Sequence, residues 1–92
     1  MHAIVELQVI PLGTGVSVRD QVTQVVRMLE GKGFLLQSHA SGTNIEGPLE
    51  EIFSVVQQVH ERLHEQGNAR LLSYIKVETR TDKKPTMAAK KL

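Results

Sequence analysis

Apolar and polar positions alternate through HAIVELQVI, residues 2–10. Ala3, Val5, Leu7 and Val9 fall on one side, and Ile4, Glu6, Gln8 and Ile10 on the other, the period of a strand with one buried face and one mixed face. PLGTG then breaks the pattern with a proline and two glycines. Beyond it the spacing changes. Val18, Val22, Val25, Val26 and Leu29 recur at helical intervals, Ser17 with Asp20 three residues on resembles a helix start, and Gly31 or Gly33 supplies the stop. The valines weaken the helical propensity, but the period outweighs them. FLLQSH and TNIE are short strand candidates separated by ASG, a hairpin-sized gap. GPLEEIFSVVQQVHERLHEQG predicts the longest helix, with proline and two glutamates in its first turn and Gly67 at its end. RLLSYIKVETRT alternates again, with Leu71, Ser73, Ile75 and Val77 on one face and Leu72, Tyr74 and Lys76 on the other.

The order is strand, helix, strand, strand, helix, strand. That predicts an α+β fold of the ferredoxin-like βαββαβ type, a four-stranded antiparallel sheet with both helices on one face. The 92 residues suit one domain, expected to span 1–82. Residues 83–92, with four lysines and no apolar period, read as a basic, solvated and flexible C-terminal tail. The face without helices would carry Ile4, Ile10, Leu72 and Tyr74 among charges, an arrangement that invites a second subunit.

Composition narrows the functional classes. A formal net charge of +1 gives no general reason to bind nucleic acid or a membrane surface. Three aromatics without tryptophan offer no stacking platform for single strands. With no cysteine, disulfides and thiolate metal sites are excluded. Neither a signal peptide nor an apolar run of about 20 residues is legible, so a cytoplasmic location is expected.

HERLH, residues 60–64, has the spacing with which zinc peptidases hold a metal and activate water. On a helical wheel Leu49, Ile52, Phe53, Val56, Val59 and Leu63 form the core arc, with His60 inside it and His64 just beyond, while Glu61 points away. A catalytic zinc needs a third protein ligand and an open position. A third histidine six residues on would stand at position 70, which is Arg70. Neither a catalytic residue nor a metal ligand is assigned. GTG at 13–15 lacks the lysine of a phosphate loop and the third glycine of a dinucleotide fingerprint.

The polar segment SHASGTNIEGPLEE is different. Ser38, His39, Thr43, Asn44 and Glu46 gather around the expected hairpin, with Glu46 placed where the sheet hands over to the second helix. Together IPLGTG.SV, GTNIEG and AR......KVETR.DK resemble the thiamine-binding family in order and spacing, from about residue 3 to residue 84. The resemblance implies a ferredoxin-like subunit that forms homodimers or homotetramers through its sheet and binds thiamine or its aminopyrimidine moiety without catalysis. By position it places the ligand near Thr43 and Glu46, with Ser17, Gly13, Thr14 and His39 as further candidates. A carboxylate complements a thiazolium cation and accepts from an exocyclic amine. Thr43 and Glu46 are three apart, however, so a regular strand points them to opposite faces unless the chain turns at Gly47 or the site lies at an edge. The competing expectation is a structural or regulatory oligomer acting through its open sheet face, with no physiological small ligand.

Overall fold

The computed structural model describes residues 1–13 and 19–91. Strand β1 (His2–Leu12) leads to helix α1 (Arg19–Glu30), then to β2 (Leu35–His39), β3 (Gly42–Pro48), helix α2 (Leu49–Glu65) and β4 (Arg70–Glu78). The sheet order is β2-β3-β1-β4, with every neighbouring pair antiparallel. This is the expected ferredoxin-like α+β topology.

Alternation along β1 decides which face is covered. Ala3, Val5 and Leu7 are buried beneath the helices, where they meet Ile45 of β3, Val25 and Leu29 of α1, and Ile52, Val56, Val59 and Leu63 of α2. Each large aliphatic side chain buried in this way contributes about 1.5–3 kcal/mol. The helix α2 begins directly from β3: Pro48 is its N-cap residue, not part of its first turn, and the Leu49 N–H donates to the Met1 carbonyl at 2.8 Å. Its far end closes on Gly67, at φ 97°, where the Gly67 N–H donates to the His64 carbonyl and the Asn68 N–H to the Leu63 carbonyl, a Schellman-like stop.

Two details depart from the expected core. Val55 is buried, whereas Phe53 is 46% exposed. The reason lies in the position of α2 over the sheet. His60 reaches Ser73 of β4, so this flank of α2, shared by Phe53, overlies the edge strand where the sheet runs out; Ile75 and Val77 are correspondingly exposed. The C-terminal segment also differs from the expected solvated tail. Pro85 is buried, the Met87 N–H donates to Glu46 at 2.7 Å, and residues Ala88–Lys90 form a 3-10 turn whose Lys90 pairs with Glu78 at 2.9 Å. Lysine-rich composition concealed a segment whose backbone, not its side chains, makes the decisive contact.

Candidate functional site

β3 pairs with β1 only as far as Leu7↔Thr43, while β1 continues beside β4 to Leu12↔Arg70. The β2–β3 hairpin turns at Ala40 and Ser41, so β1 outruns it. The result is a notch beside β1, floored by Leu7 and Val9, walled by Val22, Val25 and Val26 of α1, and rimmed by the hairpin from Ser38 to Thr43. Its volume is about 370 Å³, within the range of small-ligand pockets. Val22 is 45% exposed because the concavity leaves this part of the α1 stripe without a packing partner. Gly42 is required where the hairpin meets β1: a Cβ there would stand 2.6 Å from the Leu7 carbonyl oxygen, a distance that side-chain carbons do not tolerate.

Thr43 lies across from Leu7 on the helix-covered face, lines the notch and is only 5% exposed. Its hydroxyl has no hydrogen-bond partner among the described residues. No described side-chain polar atom is buried without a partner, and Thr43 lines the notch, where a hydroxyl can both donate and accept. Ser38 pairs with Thr43 in the β2–β3 register and borders the same cavity.

Glu46 is on the other face, across from Ile4 and Leu35. It is 6% exposed, and both carboxylate oxygens are used: the His2 Nε2–H donates to Oε2 at 3.0 Å and the Met87 N–H to Oε1 at 2.7 Å. The Met87 N–H, together with the His2 ring, holds the carboxyl below the usual carboxylate range against the opposing effect of burial. Glu46 and Thr43 therefore do not share a cavity. The strand stays regular through Glu46, and the opposite-face geometry of positions three apart prevails.

The remaining candidates separate in the same way. His39 contributes to the rim of the notch, but its Nε2 lies 3.0 Å from Asn44 Oδ1 and 3.5 Å from Glu6 Oε2, so the ring is engaged outside the cavity, with side chains of the open face. Gly13 sits just past β1, exposed and at φ 78°, and does not line the notch. Thr14 and Ser17, with the helix start assigned to Ser17, lie outside the described residues. The HERLH pair is employed in packing: His60 Nε2 stands 2.6 Å from the Ser73 hydroxyl, and His64 Nδ1–H donates to the Asn68 carbonyl at 2.7 Å. Burial, and then the neighbouring His64, push the His60 pKa down. Among the described residues no group of three or more potential ligands comes together to hold a metal, and no helix is long and apolar enough to cross a membrane.

Sequence reading did not find His2 and Met87 as the partners of Glu46, because each contact joins the middle of the chain to one of its ends. The notch was equally hidden. Its one signal is an apolar stripe on α1 longer than the hairpin can cover.

A split βαββαβ chain with a cavity between one helix and the end of its hairpin defines the class: a small ferredoxin-like α+β domain. The chain belongs to the thiamine-binding protein family, whose model matches residues 5–92. It is 43% identical over 90 residues to a UPF0045 protein of Synechocystis sp., covering 98% of this chain and 74% of that one. It is 38% identical to a UPF0045 protein of Eremothecium gossypii, covering 94% and 83%. The crystal structure of a Methanocaldococcus jannaschii protein superposes with a TM-score of 0.90 at 29% identity, covering 97% of this chain and 91% of that one. A Thermotoga maritima protein, named for thiamine biosynthesis or salvage, gives 0.86 at 20% identity over 98% and 95%, a likeness of fold.

Proposed function

We propose that the protein is a non-catalytic binding protein for thiamine or its aminopyrimidine moiety, and that the ligand occupies the notch beside β1. The observation that carries this reading is the notch itself, with the Thr43 hydroxyl at its wall making no hydrogen bond to another described residue. Val22, Val25 and Val26 offer apolar surface to the faces of a heterocycle, and Thr43 and Ser38 offer hydrogen bonds to its edge. Among the described residues no acidic one lines the notch, so the neutral aminopyrimidine is the part held, and the thiazolium cation stays hydrated at the mouth. Glu46 takes no ligand in this reading, since its oxygens are committed to His2 and Met87. Calorimetric titration with thiamine tests the proposal. Saturable heat that Thr43→Val weakens about tenfold, the loss of one hydrogen bond, is expected, and absence of heat or thermal shift at millimolar thiamine would sink it.

A second reading, that the chain assembles as a homodimer or homotetramer through its sheet, is favoured by β4. Among the described residues this edge strand leaves nine residues, Arg70–Glu78, without a neighbour on one side, an arrangement that monomers usually protect. Antiparallel pairing of two copies about Tyr74 brings Arg70 of each opposite Glu78 of the other. Tyr74, 60% exposed, and Leu72 then lie near the two-fold axis. Replacing both by charged residues dissociates the assembly in analytical ultracentrifugation; an unchanged mass would place the contact elsewhere or exclude it.

A further inference from the structure

We infer that the main chain of Val9 reads the aminopyrimidine edge, its carbonyl accepting from the exocyclic amine and its N–H donating to the adjacent ring nitrogen. This rests on the notch being the ligand site and adds what selects the ligand there.

The inference follows from strand parity. In an antiparallel strand the N–H and C=O of one residue face the same edge, and successive residues alternate between edges. The Leu7 carbonyl faces β3, since a Cβ on Gly42 would lie 2.6 Å from its oxygen. The Val9 pair faces the same way, but the β1–β3 register has ended at Leu7↔Thr43. Val9 therefore points a donor and an acceptor into the notch it lines. Gln8 and Ile10, by the same alternation, turn theirs toward Tyr74 and Leu72 of β4.

Pro11 supplies an independent check. It is next in the Val9 series and lies within β1, in register with Leu71. A proline in a paired strand escapes the loss of a ladder bond only where its nitrogen faces away from the partner. The position of Pro11 fits an edge that β4 does not use. Among the described residues the β1–β3 ladder stops short of Val9, and no turn or loop backbone bonds to its N–H or C=O, so the pair is left for water or a ligand to satisfy.

The chemistry that satisfies this pair is specific. An amino group beside a ring nitrogen presents a donor next to an acceptor in one plane. A residue of extended backbone presents the complementary acceptor and donor in one direction. Thr43, on the neighbouring strand, is placed to supply a third polar contact, and the α1 valines cover the ring. An oxo group beside a ring N–H reverses the order and loses both bonds in that pose. Sites built on such bonds reject ligands that cannot make them.

The test uses the full chain and amide-resolved NMR titration with four probes: thiamine, pyrithiamine, which retains the aminopyrimidine, oxythiamine, which carries the oxo group, and 4-amino-2-methylpyrimidine, the ring alone. Thiamine and pyrithiamine should shift the Val9 amide together with Thr43 and bind alike, while oxythiamine binds at least about tenfold more weakly. Val9→Pro, which deletes the donor without removing a β4 ladder bond, should lower thiamine affinity by a similar factor while circular dichroism stays unchanged. Should Val9→Pro fail to fold, the Val9 amide shift in the unmodified chain decides. Thiamine that moves Thr43 but not Val9, or oxythiamine that binds equally well, overturns this inference and leaves the ligand site standing. If thiamine moves nothing but 4-amino-2-methylpyrimidine shifts Val9, the edge reading survives and thiamine is replaced as the ligand. Silence from all of these compounds overturns both.

Discussion

β3 buries two polar side chains three residues apart, Thr43 at 5% and Glu46 at 6% exposure, for different reasons. Glu46 is enclosed by partners that the chain itself provides, one from each end. Thr43 lines the notch across from Ser38, and its hydroxyl makes no hydrogen bond to another described residue. A buried polar group with its bonds made is a component of the fold, whereas a hydroxyl at a cavity wall is available to a guest. The residue with the more suggestive charge is thus structural, and the modest hydroxyl marks the cavity.

The largest consequence is expected at Glu46. Glu46→Ala removes an acceptor from both His2 and the Met87 N–H and leaves a void, so it should destabilise the fold by about 3 kcal/mol, read by denaturant unfolding. Tryptic cleavage after Lys83 should accelerate as the C-terminal segment detaches. Thiamine affinity per folded molecule should be unchanged. A variant that folds normally but loses binding would reverse the assignment of the two residues.

A milder form of the same disturbance is acid. The folded pKa of Glu46 lies below its ordinary value of 4.5. The carboxylate's contribution is therefore fully present above that value and is lost as pH falls through the lower, folded one. Melting temperature should hold steady down to about pH 5 and then decline, and Glu46→Gln should flatten this decline while lowering the plateau. An identical acid limb in the variant would mean that another carboxylate governs it.

At Thr43 the balance of effects inverts. Thr43→Val keeps the shape and removes a hydroxyl with no described partner, so stability should change by less than about 1 kcal/mol, in either direction. Binding should fall about tenfold. Loss of stability without loss of binding would make Thr43 another Glu46, satisfied by a contact of its own.

The legible part of this molecule follows from periodicity. The alternation of Ala3, Val5 and Leu7, the period of α2 and the turn chemistry at ASG and Gly67 were enough for the element order and the helix-covered face. Even the opposite orientation of Thr43 and Glu46 follows from their spacing. What periodicity does not contain is relative length. The notch exists because β1 extends past the hairpin by several residues, a property of how strands align and not of any one strand. Phe53 was misplaced for a related reason: a helical wheel shows the angle of the apolar arc but not where the sheet beneath it ends. The Glu46 contacts join positions 44 and 41 residues apart in the chain, with no local pattern to announce them.

The smallest effect sharpens the contrast by testing whether the C-terminal segment is held by its buried contact or its exposed one. Lys90 and Glu78 meet at 2.9 Å, but their side chains are 53% and 42% exposed, and ion pairs of that kind contribute between zero and about 1 kcal/mol, less as salt rises. The Met87–Glu46 bond is sheltered from solvent and involves an ionised acceptor, which makes it the stronger of the two. Lys90→Ala should therefore cost no more than about 0.5 kcal/mol, measured against Glu46→Gln under identical conditions, and the difference from the unmodified chain should vanish near 1 M salt. Tryptic sensitivity at Lys83 should be nearly unaltered. If Lys90→Ala instead frees the segment as readily as a change at Glu46, surface charge holds it, and the buried carboxylate has no special part in closing that face of the sheet.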